Sequence, residues 1–196
     1  RQSIDTIDRQ LQRMNRIIRG ILDLERLRDG VLALELCPPA RIISSAVYEM
    51  REFAHEQNVT IDYLAADDLP LISCDVQQLE RAIVNLIENA IKYSTDLNSI
   101  PVKVEVLDGD ESVLVIVKNF GPIVQPNERD RIWHRRFRAS NVGHVPGTGL
   151  GLHRVMQISR LLGISVTYDA PASDPIGMNR MIVRLTAERP SMMNGR

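Results

Sequence analysis

From Val76 to Tyr93 the chain repeats its apolar residues with the period of an α-helix. Leu79, Ala82, Ile83, Leu86, Ile87 and Ala90 fall on one side. Asn85, Asn89 and Lys92 stand at i, i+4 and i+7 and share another face. Asp75, with Gln78 three residues on, is the signature of an N-cap with a reciprocal glutamine. A helix divided this way must bury one side against a second layer and leaves two amides and an amine free for chemistry.

The rest of the chain supplies that layer. Val59–Leu64, Leu69–Cys74, Pro101–Leu107, Ser112–Lys118, Ile164–Tyr168 and Met178–Leu185 read as strands. Asp108-Gly109-Asp110 is a hairpin turn signal between two of them. Ile42, Ile43, Ala46, Val47, Met50, Phe53 and Ala54 mark a helix started by Pro38-Pro39, and a further helix runs from Leu150 to Leu162. Val31–Leu36 is a short strand candidate. Residues 120–148 lack periodicity and gather Gly, Pro and Arg with the aromatics Phe120, Trp133 and Phe137, as a functional loop or lid does.

Residues 1 to about 31 carry a narrow stripe, Ile4, Ile7, Leu11, Met14, Ile18 and Ile21, continued after a slip at Gly20 by Leu24, Leu27 and Val31. Such a helix packs in a bundle with a partner helix or lies on its own domain. Gly30 is its expected end. The tail after Glu188 is expected to be disordered. With neither initiator Met nor signal peptide, the chain is expected to be a fragment of a longer protein.

Composition narrows the classes. A net charge of -1 gives no global basic field, so nucleic acid is not an expected partner despite Arg129, Arg131, Arg135, Arg136 and Arg138 around Trp133 and Phe137. The two cysteines, Cys37 and Cys74, form no CxxC pair; this argues against metal binding and a disulfide framework and for a reducing cytoplasm. No apolar run approaches ~18 residues, the length of a membrane span.

Two amides and an amine on one face suit Mg²⁺ and phosphate oxygens, because amide carbonyls are hard ligands. Gly147-Thr148-Gly149-Leu150-Gly151-Leu152 leads into a helix whose N-terminus adds partial positive charge. It is neither the GxGxxG dinucleotide fingerprint nor a P-loop. Asn119-Phe120-Gly121-Pro122 closes an apolar strand, where an amide is placed to hydrogen-bond a base edge and Gly121 lets the chain turn aside.

In this order the pieces resemble the ATP-binding catalytic domain of sensor histidine kinases, within the superfamily that includes gyrase and MutL. Residues 85–94, NLIENAIKYS, are similar to the family's N box, GTGLGL to its second glycine box, Asn119-Phe-Gly-Pro to its first, and Arg131–Arg138 to its lid motif. Residues 1–36 resemble the second helix of the dimerisation hairpin, with 37–188 as the catalytic domain and 189–196 as the tail.

The resemblance implies an α/β sandwich, a mixed sheet of about five strands with three helices, preceded by a long helix. It implies ATP and Mg²⁺ as ligands, with Asn89 on the metal, Asn85 beside the phosphates and Lys92 paired with phosphate. Tyr93 would pack on the nucleoside and Asn119 read the adenine amino group, beside Gly121. Gly147, Thr148, Gly149, Leu150, Gly151 and Leu152 would form the phosphate loop, hinged with Gly143. Arg135 would reach the terminal phosphate. The implied activity is phosphoryl transfer to a histidine on a hairpin supplied in cis or in trans, then relay to a response regulator, in a homodimer when intact. The other reading is a nucleotide-binding or dimerisation module that regulates another kinase without transfer.

Four positions depart from the family pattern. Asn119 replaces Asp, which keeps an acceptor, loses its charge and predicts weaker adenine recognition. Ile123 replaces the box's second glycine, Arg136 the second lid aromatic, and Asn179-Arg180 the paired Thr of the last strand. No H box, His-Glu-x-x-Thr-Pro, is present. His55 precedes Glu56 but ends a helix with no Thr-Pro after it, and reads as a surface residue; His134, His144 and His153 lie in or beside the lid.

Overall fold

The computed structural model describes residues 32–95, 100–143, 145–170 and 176–189. The coiled-coil stripe, Gly30, His144 and residues 190–196 lie outside them. Seven strands appear in chain order: β1 (Glu35–Cys37), β2 (Ile61–Ala65), β3 (Leu71–Cys74), β4 (Val102–Asp108), β5 (Ser112–Pro122), β6 (Ser165–Asp169) and β7 (Ile176–Glu188). Three helices join them: α1 (Pro39–Glu56), α2 (Val76–Lys92) and α3 (Gly151–Leu162).

The sheet runs β1-β3-β7-β5-β4-β2, with β6 also on β7. It is mixed: β2 and β4 are parallel, and the other pairs antiparallel. The long β7 makes this possible. Its Arg180–Arg184 pair with β6, and its Ala187 and Glu188 pair with β3 along the same edge. The expected five strands are thus the broad part, β2-β4-β5-β7-β6, and the short β1 and β3 extend one end.

The α2 helix lies between α1 and α3, and its stripe is the centre of the core. Leu79, Ile83, Leu86 and Ile87 are fully buried, against Val102, Val104 and Val106 of β4, Val113 and Val115 of β5 and Val183 of β7. Burying each large aliphatic contributes about 1.5–3 kcal/mol, so this layer fixes α2 by its apolar face. Asp75 caps the helix, its Oδ1 accepting from the Gln78 N–H at 3.0 Å. The reciprocal bond from the Gln78 side chain is not made; Gln78 Oε1 is buried without a partner. The second oxygen of Asp75 accepts from the Ala33 N–H at 3.1 Å, which ties the segment entering β1 to the head of α2.

Strand β5 runs four residues beyond its apolar pattern. Asn119, Phe120, Gly121 and Pro122 signal a strand poorly by themselves, but β7 pairs with them one for one, from Asn119 opposite Asn179 to Pro122 opposite Ile176. At the other end Gly109 donates to the Ser112 carbonyl at 2.8 Å and Asp110 takes φ 63°, closing the expected hairpin. Between β5 and α3 the chain forms only short 3-10 turns at Pro126–Glu128, Arg131–Trp133 and Ser140–Val142.

Cys37 and Cys74, 37 positions apart, come together in the β1/β3 ladder. Both thiols are free and buried, with sulfurs 3.5 Å apart. The absence of a CxxC spacing gave no sign of this proximity.

Candidate functional site

The buried row of β5 and β7 changes character at one end. Val113, Val115 and Val117 on β5 face the helices, and the next residues of the same parity are Asn119 and Gly121. On β7 the sequence is Leu185, Val183, Met181, Asn179, Gly177. The register therefore sets an amide pair, Asn119 and Asn179, and a glycine pair, Gly121 and Gly177, where apolar side chains would otherwise continue. This polar end abuts the C-terminal end of α2.

The junction is close. Asn119 Nδ2 donates to the Tyr93 carbonyl at 3.3 Å, and the Thr95 N–H donates to the Phe120 carbonyl at 3.0 Å. A β-carbon on Gly121 would stand 1.9 Å from the Tyr93 oxygen, so only glycine permits this approach. Asn179 is fully engaged inside the protein: its Oδ1 accepts from the Tyr168 hydroxyl at 2.5 Å and its Nδ2 donates to the Gly121 and Gly177 carbonyls, each at 3.4 Å. Ile123 is buried, and its Cδ1 lies 2.9 Å from where a β-carbon on Gly177 would be. The glycine missing at 123 is matched by one present at 177.

The glycine-rich segment approaches α2 from the other side. A β-carbon on Gly151 would lie 3.5 Å from Asn85 Oδ1 and 3.6 and 3.7 Å from the Nδ2 and Oδ1 of Asn89. One on Gly147 would lie 3.8 Å from the Tyr93 hydroxyl. The amide face of α2 thus has Asn119 and Gly121 at one border and the 147–151 loop at another. Helix α3 starts with no side-chain cap and no acidic residue in its first turn, so its leading N–H groups remain available to an anion.

The Arg-rich loop is seated on this loop. Gly149, at φ 68°, accepts at its carbonyl from the Arg136 N–H at 2.9 Å; a β-carbon there would stand 2.7 Å from the Arg136 carbonyl carbon. Arg136 itself takes φ 62°, the left-handed region. Trp133 packs against the core with its carbonyl 3.1 Å from His153 Nδ1, and Arg131 stacks on Phe137 at 4.6 Å.

Other expected site residues have these surroundings. Lys92 is in an ion pair with Glu88 at 2.6 Å, one turn back on α2, and is not a free cation. Arg135 is exposed. Leu152 packs against the core, and Thr148 is exposed on the loop. His55 is exposed at the end of α1, as expected of a surface residue. Sequence reasoning missed Tyr168, which donates to Asn179 and accepts from the Val124 N–H at 3.0 Å; nothing in its local sequence marks it. A hollow of about 730 Å³ lined by Asp110, Glu111, Ser112, Arg184 and Thr186 opens at the opposite end of β5 and holds none of the expected residues.

The residues present fit a magnesium–phosphate group. Asn89 Nδ2 is buried with no hydrogen-bond partner among the described residues, and as a donor it suits a phosphate oxygen and not the cation. Beside it are amide oxygens of the hard type Mg²⁺ accepts. Among the described residues no cluster of three His, Cys, Asp or Glu exists to cage a metal, so an ion here would draw most ligands from phosphate and water.

Residues 74–189 match the family model described as "Histidine kinase-, DNA gyrase B-, and HSP90-like ATPase". The chain belongs to this family. Its relatives include the signal transduction histidine-protein kinase/phosphatase MprB of Mycobacterium ulcerans (strain Agy99), 26% identical over 170 residues, 86% of this chain and 32% of that protein. The alginate biosynthesis sensor protein KinB of Pseudomonas aeruginosa is 28% identical over 162 residues, 82% of this chain and 27% of that protein. The chain spans about a third of the length of these relatives. Among solved structures, full-length ShkA in complex with AMPPNP superposes with a TM-score of 0.68 at 22% identity, covering 82% of this chain and 33% of that one. The mycobacterial sensor histidine kinase MprB gives 0.63 at 22% identity, covering 81% of this chain and 100% of that one. The mixed sheet with its helices is the fold of histidine kinase catalytic domains. Among the described residues no helix is long and apolar enough to cross a membrane.

Proposed function

We propose that this chain binds Mg-ATP over the amide face of α2 and transfers the γ-phosphoryl group to a histidine on a dimerisation hairpin. The observation that carries the reading is the nearness of Gly151 to both Asn85 and Asn89, whose amide atoms lie 3.5 to 3.7 Å from its β-carbon position, so that the glycine loop borders the amide helix.

In this reading Asn119 meets the base and Tyr93 the nucleoside. The first-turn N–H groups of α3 and the amide of Asn85 hold the phosphates, and Asn89 holds the metal. Mg²⁺, when bound, neutralises charge on the phosphate oxygens. Lys92, in a part-buried ion pair with Glu88, exchanges that partner for a phosphate oxygen. Arg135, exposed and unpaired among the described residues, is free to reach the γ-phosphate as the loop closes. An imidazole nitrogen attacks the γ-phosphorus, the bond to the bridging oxygen breaks, ADP leaves with the electron pair, and the imidazole loses its proton. The domain's work is positioning and charge stabilisation, not acid–base chemistry.

The acceptor histidine comes from outside the described residues, in cis or in trans, since His55, His134 and His153 lack the H-box setting. Residues 1–36 fit the second hairpin helix and its exit, and residues 37–188 the catalytic domain. A homodimer, relay to a response regulator and a cytoplasmic setting follow from the same reading. A second reading, a regulatory module without transfer, is favoured by the Lys92–Glu88 pair and by Asn119 in place of a carboxylate.

Adding a separately produced histidine hairpin and γ-labelled ATP separates the two. Acid-labile label on the hairpin histidine is expected. A docked hairpin with nucleotide bound and no label would leave only the regulatory module.

A further inference from the structure

We propose that Cys37 and Cys74 form a reversible disulfide, a covalent modification site that staples β1 to the head of α2 in response to a small-molecule disulfide such as oxidised glutathione. The inference is independent of the nucleotide-binding reading.

These are the two cysteines of the 196-residue chain, and the fold sets them against each other. Strands β1 and β3 pair with Glu35 opposite Cys74 and Cys37 opposite Ile72, so both thiols stand on the buried face of one ladder. The Cys37 thiol lies 3.6 Å from the Ile72 carbonyl, and the two sulfurs are 3.5 Å apart. A disulfide needs about 2.05 Å, so the sulfurs must close by roughly 1.5 Å, within reach of side-chain rotation and a small shift of an edge strand. A buried cysteine commonly serves as a small apolar filler. That role does not require the other thiol of the chain as its neighbour.

The pair is shielded, but thinly. Burial chiefly, with the neighbouring thiol, pushes the Cys74 thiol up to about 12. The closed ladder therefore holds Cys74 as a thiol, which does not start an exchange. Yet β1 is a three-residue edge strand, and β3 pairs with β7 only at Leu71 and Ile72. Ser73 and Cys74 thus have β1 as their one strand partner. Opening so short a ribbon exposes both sulfurs without unfolding the domain, and an exposed thiol ionises as a free cysteine does.

The exchange has two steps. The Cys37 thiolate attacks one sulfur of oxidised glutathione; the S–S bond breaks and the first glutathione thiolate leaves with its electron pair. The Cys74 thiolate, its proton passed to water, attacks Cys37 Sγ, and the second glutathione thiolate leaves. Two protein thiols are oxidised, one external disulfide is reduced to two thiols, and the protons released end on those thiols. An excess of reduced thiol runs the sequence backwards. In a reducing compartment such a bond is transient, the sensing use of intracellular disulfides.

The bond joins two meaningful places. Cys37 is the last residue of β1, ahead of the Pro38 that caps α1. Cys74 immediately precedes Asp75, which caps α2 and accepts from the Ala33 N–H at 3.1 Å. Oxidation makes covalent a connection between the first strand and the amide-bearing helix that the reduced chain holds by hydrogen bonds alone. Asn85 lies ten residues beyond Asp75, about 15 Å along the helix, so the amide face itself is left untouched.

The test exposes the folded 196-residue chain to oxidised glutathione, then alkylates it under denaturing conditions and weighs it. The expected product is a monomer two hydrogens lighter, with no alkylated thiol, restored by dithiothreitol. Cys74→Ser, shown to be folded by circular dichroism, should stop at a mixed disulfide of glutathione on Cys37. The oxidised native chain should also unfold at a higher urea midpoint than the reduced one, because the bond closes a loop of the unfolded chain. Two alkylatable thiols surviving exposure, or glutathione retained on both sulfurs with no internal bond, would overturn the proposal. So would an oxidised chain whose midpoint is no higher, since the fold would then oppose the bond.

Discussion

The carbonyl oxygen of Tyr93 occupies the space where a side chain on residue 121 would begin, 1.9 Å from the β-carbon position of Gly121. The end of the amide-bearing helix and the polar end of β5 are in backbone contact. Gly121→Ala must push these apart, breaking the Asn119–Tyr93 and Thr95–Phe120 bonds together. We expect a loss of stability on the order of 2–4 kcal/mol in urea unfolding, with loss of nucleotide binding in the fraction that remains folded. Unfolding within 0.5 kcal/mol of the native chain, as an order-of-magnitude bound for a neutral surface change, would contradict the contact.

Asn89→Ala is expected to separate stability from binding. The Asn89 NH₂ makes no hydrogen bond in the protein, so its removal should change stability by less than about 1 kcal/mol. Mg²⁺-dependent nucleotide binding should nevertheless vanish in calorimetry. Unchanged binding would refute the metal assignment.

Asp75 serves two elements with two oxygens, one on Gln78 and one on Ala33. Asp75→Ala should cost about 1–2 kcal/mol, the usual loss for a helix cap. Asp75→Asn should cost less, because one oxygen still caps α2 while the NH₂ now opposes the Ala33 N–H. Equal losses for the two variants in urea titration would show that the cap contributes nothing separable.

The pH dependence of stability should carry the mark of Cys74. Burial chiefly, with its contact to the Cys37 thiol and nearby negative charge, pushes the Cys74 thiol up to about 12. In the unfolded chain the thiol ionises near the ordinary value of about 8.5. The folded state therefore holds a proton that the unfolded state has released, and stability falls as pH rises between these values. Tyr63 and Tyr168, also raised by burial, add to the fall above about 10. Urea midpoints should decline from about pH 8.5 upward, and Cys74→Ala should flatten the part below about 10. A native chain with no decline between these pH values would show that the thiol is not shielded.

How much was legible in advance can be argued from particular residues. The α2 stripe and its amide face were both read from spacing, because helix geometry is local: residues at i, i+4 and i+7 share a face whatever surrounds them. Asp75 was read as a cap for the same reason, whereas its second role was not, because the Ala33 N–H that donates to its other oxygen comes from 42 residues away. Strand β5 was ended early, since Asn-Phe-Gly-Pro has no strand pattern of its own and is held by β7. The pairing of Lys92 with Glu88 and the bond from Asn85 Nδ2 to the Arg81 carbonyl at 2.7 Å both span four residues, and the phosphate assignment passed over both.

The sequence by itself determined which segments are helices and strands, which helix face is polar, and where glycines allow the backbone to come close. These follow from periodicity and from the allowed φ of single residues. Only the tertiary structure decided that Gly151 rests on Asn85 and Asn89, that Asn119 turns its NH₂ to Tyr93, that Tyr168 braces Asn179, and that Cys37 meets Cys74. Each of these joins residues far apart in the chain, and their meeting is set by strand register and by how helices pack on the sheet, which no single segment encodes.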